Sequence, residues 1–181
     1  MTAATPIRYR ILPRDPHAHL FEVSCTVPAP DPQGQAFALP TWIPGSYLIR
    51  EFARHVVAIG AHSGRKTLRI AKRDKHTWQV EPCAGPLTVT MQVYAFDLSV
   101  RGAHLDAAHG FFNGPSVFLR VLGQESARCE VEILPPKGAR YRHWRVATAM
   151  PRKSAPAYGF GLYNAADYDE LIDHPVEMGT F

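Results

Sequence analysis

This sequence predicts a mainly β fold: an antiparallel β-sandwich or curved, saddle-like sheet, with one short C-terminal helix. Three observations predict it. Apolar and polar residues alternate in segment after segment, as they do when one face of a strand is buried and the other wet. Clusters of turn-forming residues separate these segments about every ten residues. Sixteen prolines in 181 residues, about twice average usage, leave little room for long helices.

The elements follow in order. Ile7, Tyr9 and Ile11 fall on one side of a first strand. In "HLFEVSCTV", Phe21, Val23, Cys25 and Val27 do the same, with Glu22, Ser24 and Thr26 opposite. "LTVTMQVYAF" sets Leu87, Val89, Met91, Val93 and Ala95 against Thr88, Thr90 and Gln92. "SVFLRVL" and "CEVEIL" predict two further strands, and "YGFGLYN" reads as a flexible turn. "PAPDPQG", "HSGRK", "EPCAGP" and "LPPKG" are the connecting turns. The best helix is "DYDELI": Asp167 can cap, Glu170 stands three residues on, Tyr168, Leu171 and Ile172 share a face, and Pro175 ends it. The expected division is a β-domain over residues 1–163, then a short helix and linker over 164–181.

The stretch "LPTWIPGSYLIREFARHV", residues 39–56, gathers aromatic and aliphatic residues around Pro44-Gly45. That pair suits the central positions of a type II turn, because proline fixes φ at the first and glycine accepts a positive φ at the second. Trp42, Ile43, Tyr47, Leu48, Ile49 and Phe52 are then expected to pack core and corner.

Composition excludes several classes. Hydrophobic content of 46% and charged content of 20% are ordinary for a globular domain that folds without disulfides or metal. Cys25, Cys83 and Cys129 are odd in number and form no Cys-x-x-Cys pair, so nothing demands an oxidising compartment. No apolar run suits a signal peptide or a membrane span, and the cytoplasm is the default. Residues 1–153 hold 20 basic and 11 acidic residues, net +9, while residues 154–181 hold five acids and no base, net −5. The bases are scattered singly, which argues against nucleic-acid binding. The acidic end is expected to dock on, or lead into, another segment.

Motifs for chemistry are missing. There is no His-Glu-x-x-His, nucleophile elbow, phosphate loop or dinucleotide fingerprint. His17 and His19 would share a face on a strand, two ligands without an evident third. His104 and His109, five apart, would point to different faces of a helix. Asp97 and Asp106 flank Arg101, and an Asp–Arg structural pair is the expectation there. No metal ligand set or cofactor is assigned to this chain, and on its own residues it is no recognisable enzyme.

The markers "LPTWIPGSYLIREFARHV", "DKHTW", "VYAFDLSVRGAHLD", "FFNGPSVF", "WRVATAM" and "YNAADYDELIDHPVEMGTF" accumulate over nearly the whole chain. Together they resemble the N-terminal domain of the glycyl aminopeptidase family of PDZ-bearing zinc metallopeptidases, metallopeptidase family sixty-one. The resemblance implies a saddle-shaped β-domain followed by a thermolysin-like catalytic domain, which carries the zinc, and a PDZ domain. It implies removal of N-terminal residues from peptides, glycine and alanine favoured. The chain stops at "VEMGTF", where relatives enter the catalytic domain, so a truncated clone is expected and none of the zinc ligands can be carried over. The implied partners are the parent's own catalytic domain and a peptide substrate.

A neighbouring β-domain can supply a wall and a few polar groups to such a cleft. Asn113 could offer a carboxamide oxygen to an ammonium; Asp97 could offer a full charge, oriented by Arg101. His104 and Tyr94 rank behind them. An apolar patch at "GFGLYN" and "MGTF" is expected where the partner belongs, with self-association of the isolated domain. Two alternatives stand beside this reading. One is a stand-alone module binding carbohydrate or peptide by stacking on Trp42, Tyr47, Trp78 and Trp144. The other is an enzyme holding a metal with His17, His19 and a carboxylate.

Overall fold

The computed structural model describes residues 5–43 and 46–181. The strands are β1 (Ile7–Asp15), β2 (Leu20–Val27), β3 (Ala36–Ala38), β4 (Val56–Ser63) and β5 (Lys66–Leu68). They continue with β6 (Ile70–Lys72), β7 (Thr77–Val80), β8 (Leu87–Tyr94), β9 (Ala103–Leu105) and β10 (His109–Phe112). The last are β11 (Arg120–Val121), β12 (Cys129–Ile133), β13 (Arg145–Ala147), β14 (Gly161–Ala165) and β15 (Val176–Gly179). Among the described residues, one helix, α1 (Tyr168–Ile172), and short 3-10 turns at Phe52–His55, Gly114–Ser116 and Ala139–Tyr141 complete the elements. No helix among the described residues is long and apolar enough to cross a membrane.

A seven-stranded sheet runs β14-β12-β1-β2-β8-β4-β5, and two four-stranded sheets run β13-β15-β10-β9 and β11-β3-β7-β6. The alternation read in β1, β2 and β8 is the observed burial: Ile11, Phe21, Val27, Leu87 and Val89 are wholly inaccessible. Their side chains point inward every second residue, and charged or hydroxyl neighbours face water. The mainly β architecture with one short helix is therefore what the sequence predicts.

The structure departs from the reading at three elements. β12 lies parallel to β1, with Ile7 opposite Cys129 and Ile11 opposite Ile133, so the large sheet is mixed. Parallel neighbours cannot be joined by a hairpin, and here the crossover is everything from β2 to β11. "YGFGLYN" is no flexible turn: β14 pairs along β12 from Cys129–Ala165 to Ile133–Gly161, with Tyr163 and Ala165 buried. "SVFLRVL" is hardly a strand. Only Arg120–Val121 pair, and Val117, Phe118 and Leu119 are all buried irregular backbone. Two core tyrosines hold that backbone: the Tyr9 hydroxyl donates to the Leu119 carbonyl (2.8 Å) and the Tyr168 hydroxyl to the Phe118 carbonyl (2.7 Å).

The helix forms as read. Asp167 accepts the Glu170 N–H at 2.8 Å, the Glu170 carboxylate accepts the Ala166 N–H, and Tyr168 and Leu171 are buried. Gly114 lets the helix approach, since a Cβ there would lie 2.6 Å from Ile172 Cα. Beyond the helix, β15 sits between β10 and β13. Residues 39–56 divide: Ile43 and Phe52 join the core, but Trp42, Tyr47, Leu48 and Ile49 are exposed. Their expected role as corner packing is thereby corrected, while the Pro44-Gly45 turn lies outside the described residues.

Candidate functional site

The three cleft candidates fall on one corner. β8 ends at Tyr94, and the chain then turns through Asp97–Gly102 before β9 starts. Asp97 Oδ1 accepts the Ser99 N–H at 2.9 Å, an Asx-type turn. Gly102 lets the other oxygen come close, since a Cβ at this position would sit 2.7 Å from Asp97 Oδ2. Asn113 binds the same glycine: its N–H donates to the Gly102 carbonyl at 3.0 Å, and its Nδ2 donates to the Val100 carbonyl at 3.1 Å. The Ser116 hydroxyl lies 2.6 Å from the Asn113 carbonyl and 3.2 Å from that of Gly102. Asp97 and Arg101 both line a shallow depression, facing Arg50, Glu51, Arg54 and His55 from the neighbouring segment.

The Asp–Arg pair expected here does not form. Among the described residues Arg101 makes no ion pair. Each flanking carboxylate is taken by backbone N–H groups of its own turn, Asp97 by Ser99 and Asp106 by Ala108 and His109. Asp97 is exposed and Asn113 half-buried, so a carboxylate, a guanidinium and an amide oxygen stand at one edge. Across the depression, burial lowers the pKa of His55, helped by Arg54 and opposed by Asp97. Glu51 is held below the usual carboxylate range by its hydrogen bond to Lys75.

Apolar side chains surround this corner. Tyr94, Phe96, Leu98 and Val100 are exposed beside it, and Trp42, Tyr47, Leu48 and Ile49 are exposed on the loop before Arg50. Tyr47 is fully exposed, Ile49 80%, Leu98 73% and Val100 71%. The patch was expected at "GFGLYN" and "MGTF" instead. There Tyr163 and Met178 are core and Phe181 alone among the large apolar residues is well exposed, because both segments pair as strands. Trp42 also walls a groove of about 820 Å³ against the acidic helix α1, with Arg120 at its side.

The β9–β10 hairpin corrects the reading of the histidines. Leu105 pairs with Gly110, so the turn between them folds His109 back over His104, whose rings stack 4.8 Å apart at 25°. A helical spacing would have separated them; a hairpin brings them together. Asp106 Oδ1 accepts the Ala108 and His109 N–H groups at 2.7 and 2.9 Å, and Oδ2 lies 3.2 Å from His104 Nε2. Partial burial raises the Asp106 pKa, but these hydrogen bonds and the charge of His109 outweigh it and bring the carboxyl down to about 2. His17 and His19 sit in the turn between β1 and β2, not on a strand. His17 meets Arg140, and His19 bonds the Leu105 carbonyl and packs on Phe96. They share no ligand position.

The model of the Peptidase M61 N-terminal domain matches residues 8–180. This chain belongs to that family. An aminopeptidase N family protein from Idiomarina loihiensis is similar at 44% identity and a TM-score of 0.92, over 96% of this chain and 29% of that one. An M1 zinc metallopeptidase of Deinococcus radiodurans bound to a Tyr-Ser-Ala peptide overlays 96% of this M61 domain and 42% of its own chain, at 11% identity and a TM-score of 0.49. No curated protein matches. The M61 domain thus spans under a third of the similar Idiomarina chain. The stacking module is not favoured, because Trp78 and Trp144 are buried and only Trp42 and Tyr47 of its four aromatics are exposed.

Proposed function

We propose that this domain is the non-catalytic N-terminal part of a zinc-dependent aminopeptidase of glycyl or alanyl preference, whose remaining chain carries the zinc-binding catalytic domain and a PDZ domain. It packs on the catalytic domain through the exposed apolar side chains of Trp42, Tyr47, Leu48 and Ile49 and of Tyr94, Phe96, Leu98 and Val100, and its Asp97–Arg101–Asn113 corner forms part of the substrate-cleft wall. One observation carries this reading: eight large apolar side chains are exposed, Tyr94, Phe96, Leu98 and Val100 running from the wall of the depression, and Trp42, Tyr47, Leu48 and Ile49 preceding Arg50, which lines it. Chains that stand alone seldom leave so much apolar surface together. The Idiomarina relative, more than three times as long, has the additional chain to cover it.

The chemistry of the corner suits a peptide amine. An aminopeptidase must hold the substrate's α-ammonium and close the cleft beyond it. Asp97 supplies a carboxylate, and Asn113, whose Nδ2 is committed to Val100, retains an amide oxygen. Catalytic zinc has no ligand set here, since the sequence lacks His-Glu-x-x-His; this domain positions and excludes, and the metal's Lewis acidity belongs to the rest of the parent.

The test compares the isolated domain with the parent enzyme on glycyl and alanyl substrates. The isolated domain should be inactive with zinc present and should self-associate as its concentration rises. In the parent, Asp97→Asn should raise KM for free-amine peptides by roughly tenfold, the loss of one charge-assisted contact, while N-blocked peptides remain poor substrates. Zinc-dependent turnover by the isolated domain would end this reading.

A further inference from the structure

The hairpin of β9 and β10 holds a donor set that the peptidase reading leaves unused. We propose that His104, Asp106 and His109 form a binding site for one divalent transition-metal ion of the borderline class, such as Zn²⁺ or Ni²⁺. Each residue offers one ligand atom, and the three atoms lie within 4.8 Å of one another. Two imidazoles with one carboxylate match the ligand preferences of these ions and not those of Mg²⁺ or Ca²⁺.

The donors are largely oriented in advance. Asp106 is fixed by two backbone N–H groups of its own turn. His104 is held beneath Phe96, whose ring stacks on it at 5.2 Å, and its side chain is only 3% exposed. Its Nδ1 has no partner among the described residues, an uncommon state for a buried polar atom, and Nε2 meets Asp106 Oδ2. His109 is the movable ligand: its side chain is 35% exposed and its Nδ1 lies 3.7 Å from Asp106 Oδ1. Bonds of ~2.1 Å in a tetrahedral site place ligand atoms about 3.4 Å apart. The set must therefore contract by up to about 1.4 Å from its widest separation, and His109, the more exposed of the two rings, is the one that has to move.

A single divalent ion engages both lone pairs and the carboxylate at once. The proposal stands independently of the peptidase reading.

The experiment titrates ZnCl₂ and NiCl₂ into tag-free, chelator-stripped protein by calorimetry, with histidine side-chain NMR on the same samples. Saturable binding of one ion per chain is expected, with the resonances of His104 and His109 shifted first among the nine histidines. His109→Ala should weaken binding by at least about tenfold, and the exposed control His62→Ala should leave it unchanged. No saturable binding, or unaltered binding in folded His109→Ala, would overturn the proposal. Should that variant unfold, wild-type NMR decides alone: first perturbation of any other histidine pair overturns it.

Discussion

Tyr168→Phe isolates one buried hydrogen bond. The residue is 2% exposed, and its hydroxyl donates to the Phe118 carbonyl at 2.7 Å. Burial drives the tyrosine pKa far upward, so the hydroxyl stays a donor at any working pH. Phenylalanine keeps the ring and its packing, and removes only the donor. A satisfied bond is worth ~1 kcal/mol net, but removing the donor and stranding the acceptor in the core costs about 1–3 kcal/mol. The Phe118 carbonyl lies outside every strand ladder, so no sheet partner is at hand. A loss of about 2 kcal/mol is expected. For a domain of this size that is a fall in Tm of roughly 4–8 °C. Urea unfolding with an unchanged m-value, alongside calorimetry, reads it directly. Tyr158→Phe, at an exposed ring, should do nothing. A loss under about 0.5 kcal/mol would mean that water or a shifted donor satisfies the carbonyl, and the clamp described for residues 118–119 would be wrong.

Two further outcomes follow from packing. Gly114→Ala should cost about 2–3 kcal/mol by thermal unfolding, because its Cβ would meet the Ile172 backbone at 2.6 Å, whereas Gly60→Ala, which meets nothing within 4 Å, should be nearly neutral. Among the thiols, Cys25 and Cys129 are buried, and burial pushes Cys129 up to about 12 and Cys25 higher still. Iodoacetamide at pH 8 should therefore label one thiol of the native protein, Cys83, and all three after unfolding. Labelling of Cys129 in native protein would contradict its burial.

How far the fold could be read depended on whether an element has one wet face. β1, β2 and β8 do, so their period of two is printed in the residue types. Val117–Leu119 are covered on every side and carry no period, so an apolar run was read as a strand where tyrosine hydroxyls hold irregular backbone instead. Glycines hid β14 by suggesting a turn, although Tyr163 and Ala165 alternate properly with Leu162 and Asn164. Asp97, Arg101 and Asn113 stand out in the sequence by residue type alone, and the structure gathers them around Gly102. Local turns that took up both acids explain why no Asp–Arg pair formed. The histidine cluster does not show at helical spacing because the segment is a hairpin. "HLDAAHG" carries the missing signal, an Asp that can accept N–H groups two and three residues on.

Hydrophobicity in a sequence reports what must be covered and not what covers it. Trp42, Tyr47, Leu48 and Ile49 look like core residues because most residues of their kind are, yet this chain leaves them in water. The same core braces the corner beside them. Tyr9 and Tyr168 fix the carbonyls of Leu119 and Phe118, the 3-10 turn just before them presents Ser116 to Gly102 and Asn113, and α1 presses on Gly114 of that turn. Weakening α1 should therefore loosen the Asp97–Asn113 geometry without touching either residue. If the full-length protein is the aminopeptidase proposed above, Tyr168→Phe should raise its KM for free-amine substrates at temperatures where the domain is still folded. The exposed Tyr158→Phe variant should leave it unchanged, because only the first ring is tied through the 3-10 turn to the Asp97–Asn113 corner.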